Sequence, residues 1–238
     1  MNTTKSDIAT IIGKGLLGAI PFVGPLAAEI IGTLIPNQRI DRIESFLKIL
    51  ESKIDEKEKV KIKERIFTPE SIDLIEDCFI QASRALSEER NEYIASLLKN
   101  GLTDEDLKYI EYKRLLFILE ELNDIEVIIL KSYVISSKSE YYELHKNILT
   151  EPLATEASAQ DVVDKLTIYR THREHLTNLG LLKTIFDTQR SPKFDKNTGN
   201  FESPEEFPIF DKSIGMFKIR DYKITVLGEL LLRSIGLK

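Results

Sequence analysis

The chain has 238 residues, long enough for one domain with a sizeable core or for two small ones. Its 33 Lys and Arg against 39 Asp and Glu give a formal net charge of -6, which argues against a mainly electrostatic nucleic-acid binder but leaves room for a local basic face. The single cysteine excludes an intramolecular disulfide and, without a recognisable signal peptide, favours an intracellular protein.

The first predicted element is the apolar stretch from Ile8 to Ile35, in which only Lys14 and Glu29 carry full charges. Asp7 is placed to cap a helix beginning at Ile8. Pro21 and Pro25 flank Phe22, Val23 and Gly24 and predict a turn, because a proline inside a helix removes a hydrogen bond and clashes with the preceding turn. Pro25 then opens a second helical segment that stops at Pro36-Asn37. The two arms, about 12 and 10 residues, each fall short of the roughly 20 that a membrane-spanning helix needs. Gly13, Gly15 and Gly18 allow the arms to approach closely. The side chains that define the hairpin are Ile12, Leu16, Leu17, Ile20, Phe22, Leu26 and Ile30, with Pro21 and Pro25 at the bend.

Three placements stay open for this hairpin: the core of a helical body, a membrane, or an interface between copies of the chain. In style it resembles the short glycine-rich hairpins of colicin-like pore formers and of some bacterial toxin or anti-phage effectors. That resemblance implies a non-enzymatic effector in anti-phage defence, with a membrane-active hairpin. Such a protein would be cytoplasmic, at most peripheral to the inner face of the cell membrane. No functional residue of those families maps onto the segment. The high Ile, Lys and Glu usage suits a bacterial protein.

Helices follow. Ile40, Ile43, Phe46, Leu47, Leu50 and Ile54 recur at spacings of three and four, an amphipathic helix, and the lysine-rich run from Asp55 to Ile66 continues as a charged one. Thr68-Pro69-Glu70 is a helix start, with Ile72, Ile75, Phe79 and Ala82 facing inward and Cys78 among them, a core residue rather than a nucleophile. A further helix from Glu89 to Leu98 is expected to end at Asn100-Gly101 in a left-handed cap. Thr103 and Asp106 then suggest a capping box for a helix running to Leu122.

Asn123 or Asp124 can cap the next helix, through Val127 to Leu130. Beyond a loop at Pro152 to Ala159, two helical segments span Gln160 to Tyr169 and Thr171 to Lys183. Residues 187 to 217 are rich in Gly, Pro, Asn, Asp and Lys, with Phe207 to Phe210 as a strand candidate. Extended segments at Met216 to Ile219 and Tyr222 to Thr225 precede a short helix from Val226 to Ile235. Leu179-Gly180-Leu181-Leu182 before this region and Tyr222-Lys223-Ile224-Thr225-Val226-Leu227-Gly228 after it resemble a winged-helix domain, over roughly residues 115 to 238.

In a DNA-binding winged helix the helix before the wing enters the major groove. The resemblance therefore nominates Arg170, Thr171, His172 and Arg173 on that helix, and Lys218 and Lys223 on the wing, as nucleic-acid contacts. Glu174, Glu202, Glu205 and Glu206 dilute that surface, and winged helices also serve as protein-binding or dimerising modules. His172 and His175 are three apart, but a zinc site would need more ligands. With no phosphate loop, nucleophile elbow or cysteine-histidine pair, no enzyme, cofactor or metal is expected.

The expected architecture is thus mainly α, in three parts: a hydrophobic helical hairpin over 1-37, a helical bundle over 38-114, and a winged-helix-like α+β domain over 115-238. The expected partners are another protein or a second copy, with a membrane or DNA as alternatives. A winged-helix DNA-binding regulator and a protein-interaction or assembly module are the alternatives to the effector.

Overall fold

The computed structural model describes residues 29–30, 33–36, 39–105, 108–153, 155, 158–195, 200–211 and 216–238. The chain divides into two compact units, Met1–Asp124 with Leu230–Lys238, and Ile125–Glu229.

The first unit is helical: α1 (Ile40–Lys53), α2 (Glu56–Arg65), α3 (Pro69–Arg84), α4 (Glu88–Thr103) and α5 (Tyr109–Glu121). α2, α3 and α4 start where a capping side chain satisfies a free amide of the first turn. The Asp55 carboxylate accepts from the Glu58 amide at 2.8 Å, and the Glu58 carboxylate accepts from the Asp55 amide at 3.0 Å, which makes a capping box. Thr68 Oγ1 accepts from the Ser71 amide at 3.2 Å with Pro69 as first helical residue. The α1 side chains Ile40, Ile43, Phe46, Leu47 and Leu50 are all buried, so its apolar spacing faces the core. Phe46 meets Phe79 edge to face, with ring centroids 5.6 Å apart. Cys78 is fully buried in α3, and burial pushes its thiol well above the ordinary range.

Gly101 is not a left-handed cap. It lies inside α4, where a Cβ would stand 2.6 Å from Leu74 Cδ2 and 3.2 Å from Tyr112 Cγ. The glycine lets α4 approach α3 and α5 there. Nor does Thr103 open the next helix: its hydroxyl donates to the Lys99 carbonyl at 2.9 Å. Asp104 is the C-cap of α4, and its carboxylate accepts from Tyr112 Oη at 2.6 Å.

The expectation of a membrane-active hairpin is overturned. No helix among the described residues is long and apolar enough to cross a membrane. Ile30 and Ile35, from the far end of the apolar stretch, are 2% and 7% exposed, so these side chains are packed in protein. The other hairpin residues named above, Ile12 to Leu26, lie outside the described residues.

The second unit contains α6 (Asp124–Ser132), α7 (Glu140–Leu144), α8 (Lys146–Leu149) and α9 (Gln160–Asn178), followed among the described residues by six strands. β1 (Leu182–Phe186) pairs antiparallel with β6 (Ile219–Ile224), and β2 (Thr188–Asp195) with β3 (Asn200–Pro208). The two-residue strands β4 (Phe210–Asp211) and β5 (Met216–Phe217) form a further antiparallel pair, and α10 (Val226–Ser234) closes the chain. α9 runs unbroken across what read as two helical segments. Gly180 then turns left-handed at φ 74°, which a Cβ would disfavour, and the Leu181 amide reaches back to the Leu176 carbonyl at 2.9 Å.

The two motifs that flank the hairpins meet in space. Thr225 Oγ1 donates to the Gly180 carbonyl at 2.7 Å and accepts from the Gly228 amide at 3.1 Å, so one hydroxyl ties the α9–β1 turn to the start of α10. A Cβ on Gly228 would stand 2.5 Å from the Leu181 carbonyl oxygen, and the absence of a side chain is what admits that backbone. Helix, strand, long hairpin, return strand and closing helix make this a small winged-helix-like unit.

Candidate functional site

α9 carries most of the residues nominated from sequence, and its helical phase decides what each can do. At 3.6 residues per turn, Gln160, Asp164, Thr167, Thr171, Glu174 and Asn178 fall on one ridge, and all are exposed. Gln160 Nε2 donates to the Asp164 carboxylate at 2.8 Å. The Thr167 and Thr171 hydroxyls both donate to backbone carbonyls one turn back, of Val163 and Thr167, at 2.9 Å. Their protons are committed and their lone pairs face outward. The ridge contains two carboxylates and no Lys or Arg.

The nominated cations lie off this ridge. Arg170 is exposed and donates through Nε and Nη2 to Glu151 Oε1, each at 3.3 Å. Arg173 turns inward: its Nε donates to Tyr133 Oη at 3.2 Å, and its guanidinium carbon lies 3.8 Å from the centre of the Tyr169 ring. Burial raises the hydroxyls of both tyrosines above their ordinary value, while the neighbouring Arg173 opposes that rise. Lys218 is exposed, with its ammonium 3.1 Å from Asp187. Lys223 is exposed and stands directly opposite Lys183 across the β1–β6 pair.

His172 and His175 share a partner that the sequence did not reveal. Glu126 on α6 is only 3% exposed. Its Oε1 lies 3.2 Å from His172 Nδ1 and 2.9 Å from His175 Nδ1. An ionised carboxylate only accepts hydrogen bonds, so an imidazole in its Nδ1–H form donates to it. In the sequence Glu126 is one of several acids, with Glu120, Glu121 and Asp124, clustered about a helix start. Its burial is set by the apolar residues around it, Val127, Ile129 and Leu130, which are all buried. The acid at the front of that run was the available signal.

Among the described residues no group of three or more His, Cys, Asp or Glu side chains is arranged to hold a metal ion. Comparison with protein-family models, curated proteins and solved structures finds no match to this chain. The class is therefore defined by the molecule itself: a helical body with a small winged-helix-like unit whose principal helix presents an acidic, acceptor-rich ridge.

Proposed function

We propose that the chain is a non-catalytic interaction protein whose winged-helix-like unit engages a protein partner through the outer ridge of α9. The carrying observation is the composition of that ridge. A helix entering a DNA groove must run between phosphates, which are acceptors bearing negative charge. Here it would bring the carboxylates of Asp164 and Glu174 and the spent hydroxyls of Thr167 and Thr171, which are acceptors too. The same set complements a donor-rich surface carrying Lys or Arg side chains, with Ile168, 59% exposed at the ridge's flank, adding apolar contact.

A photo-crosslinking residue placed at Thr167 or Thr171 in the full chain, expressed in its native cells, tests this. One discrete protein adduct is expected, lost when Asp164→Lys and Glu174→Lys are added. No adduct at either position, with the protein folded and present at normal level, refutes it.

DNA binding through the wing is the second reading, favoured by Lys183 and Lys223. Like charges directly opposite on paired strands cost stability, and an anionic partner would relieve them. That reading expects salt-dependent binding to a mixed-sequence duplex, with a salt slope reduced by about one in Lys223→Gln. Duplex affinity that does not change with salt removes it.

A further inference from the structure

A different face of α9 borders an open cleft within the second unit. Its volume is about 400 Å³, within the range of pockets that hold small ligands. Tyr169 and Arg173 from α9, Tyr133 from the end of α6, and Lys218, Arg220 and Tyr222 from β6 and the residue before it line the cleft.

Arg173 is the distinctive group. Tyr133 Oη accepts a hydrogen bond from its Nε, and the Tyr169 ring covers its guanidinium plane. Its Nη1 is buried and has no hydrogen-bond partner in the protein. A charged donor taken out of water without a partner costs stability, and an anion against the side of the guanidinium that borders the cleft offsets that cost. The guanidinium is also fixed on two sides before any ligand arrives, so little freedom is lost when it closes a forked contact. Its position is built, whereas a surface arginine would sweep a wide volume.

The charges around it set the class of ligand. Arg170, Arg173, Lys218 and Arg220 face three acids, Glu151, Glu174 and Asp221. Two of those acids are engaged: Glu151 by Arg170, and Asp221 by the amide of Tyr222 at 2.7 Å. Glu174 is exposed and belongs to the outer ridge of α9. Arg173 and Arg220 are thus the cations available to an anion. An apolar ligand would leave Arg173 unanswered. A carboxylate brings one charge, whereas a phosphate monoester brings a near-dianion with three acceptor oxygens, which can satisfy Arg173 and Arg220 together. The half-buried Tyr222 ring offers a flat surface for the rest of the molecule.

We propose that this cleft binds a small phosphate monoester of mononucleotide size, with the phosphate on Arg173 and Arg220 and the organic part against Tyr222. The proposal holds whether or not the outer ridge of α9 meets a protein, because Arg173 and Arg220, which take the phosphate, and Tyr222 lie off that ridge; Glu174 alone borders both.

Isothermal titration of the full-length protein with AMP tests it, alongside inorganic phosphate, adenosine and succinate. AMP is expected to bind at least about tenfold tighter than each of the other three. Arg220 is exposed and supports no packing, so Arg220→Gln should leave the fold intact by circular dichroism and weaken AMP by about tenfold or more. Arg173→Lys keeps the charge and loses the fork, and should weaken AMP by at least as much. No heat of binding up to about 10 mM AMP overturns the proposal. So does adenosine or inorganic phosphate binding as tightly as AMP, or AMP affinity unchanged in both variants. Binding of a duplex without binding of AMP also overturns it, and would assign these cations to DNA.

Discussion

Removing the Glu126 carboxylate should loosen the second unit, and the geometry sets the size of the effect. Glu126 is 3% exposed and its Oε1 holds His172 and His175 at 3.2 and 2.9 Å. A hydrogen bond to a charged group is worth about 1.5–3 kcal/mol, so the pair could reach roughly 3–6 kcal/mol if nothing replaced it. The His175 side chain is 34% exposed and that of His172 16%, so water can take over part of both bonds once the acid is gone. Glu126→Ala is therefore expected to cost about 2–4 kcal/mol. Glu126→Gln, which keeps an acceptor and loses the charge, should cost about half that. A chain of two units need not unfold in one step, so the readout should be local. Native-state hydrogen exchange of the α9 amides reports the opening free energy of that helix alone. His175→Ala should remove much of the Glu126→Ala effect when the two are combined in a double-mutant cycle. A change below about 0.5 kcal/mol for Glu126→Ala would refute the assignment of this network as what fixes α9 to α6.

Two glycines make unequal predictions from similar distances. Gly228→Ala presses a Cβ onto the Leu181 carbonyl, held in the α9–β1 turn, and should destabilise by about 1–3 kcal/mol. Gly101→Ala meets the end of the flexible Leu74 side chain and gains about 1 kcal/mol of helix propensity, so its net effect should be smaller. Equal losses in urea melts would contradict this. Cys78, whose thiol burial holds far from ionisation, should resist iodoacetamide at about pH 8 and react only when urea unfolds the first unit. The same shift gives a sign for pH. Burial raises the Cys78 thiol above its ordinary 9.0; burial and then the bond to Asp104 raise the Tyr112 hydroxyl above its ordinary 10.0. The unfolded chain loses these protons first, so the stabilisation is full below those ordinary values and declines as pH rises past them. Stability that increases from about pH 8 to 10.5 would be the wrong sign.

The helical body was legible because its signals are local. Thr68-Pro69 starts a helix and the α1 spacing buries one stripe, and both rest on neighbours within a turn. The misread boundary at Gly101 to Asp106 has a different origin. Asn-Gly followed by Thr-Asp-Glu-Asp is as good a stop and start as a sequence offers. Burial of Leu102 prolongs the apolar face of α4, and close packing against Leu74 and Tyr112 is eased by a glycine within the helix. Tertiary packing overrode a local preference worth about 1 kcal/mol. The winged-helix-like unit was legible through Gly180, Thr225 and Gly228, whose types are fixed by one turn, one hydroxyl bridge and one backbone approach.

For the candidate site, the sequence drew attention to α9 and could not supply its rotation. Arg170 and Arg173 lie three residues apart and look equivalent in a list of cations. The structure gives Arg170 to an exposed carboxylate and Arg173 to two tyrosines, one of them 40 residues away in the chain. His172 and His175 likewise read as a half-built metal site until Glu126, 46 and 49 residues distant, is placed between them. A short amphipathic pattern fixes the phase of a helix only when one face is strongly apolar. On α9 the apolar residues are spread around the circumference: Tyr169 and Leu176 are buried, while Val163 and Ile168 are exposed. The phase is set instead by polar partners brought from α6 and the loop before α9. That is why the Arg and His groups that the winged-helix resemblance nominates for DNA turn away from the outer ridge of α9, which carries carboxylates and hydroxyls in their place.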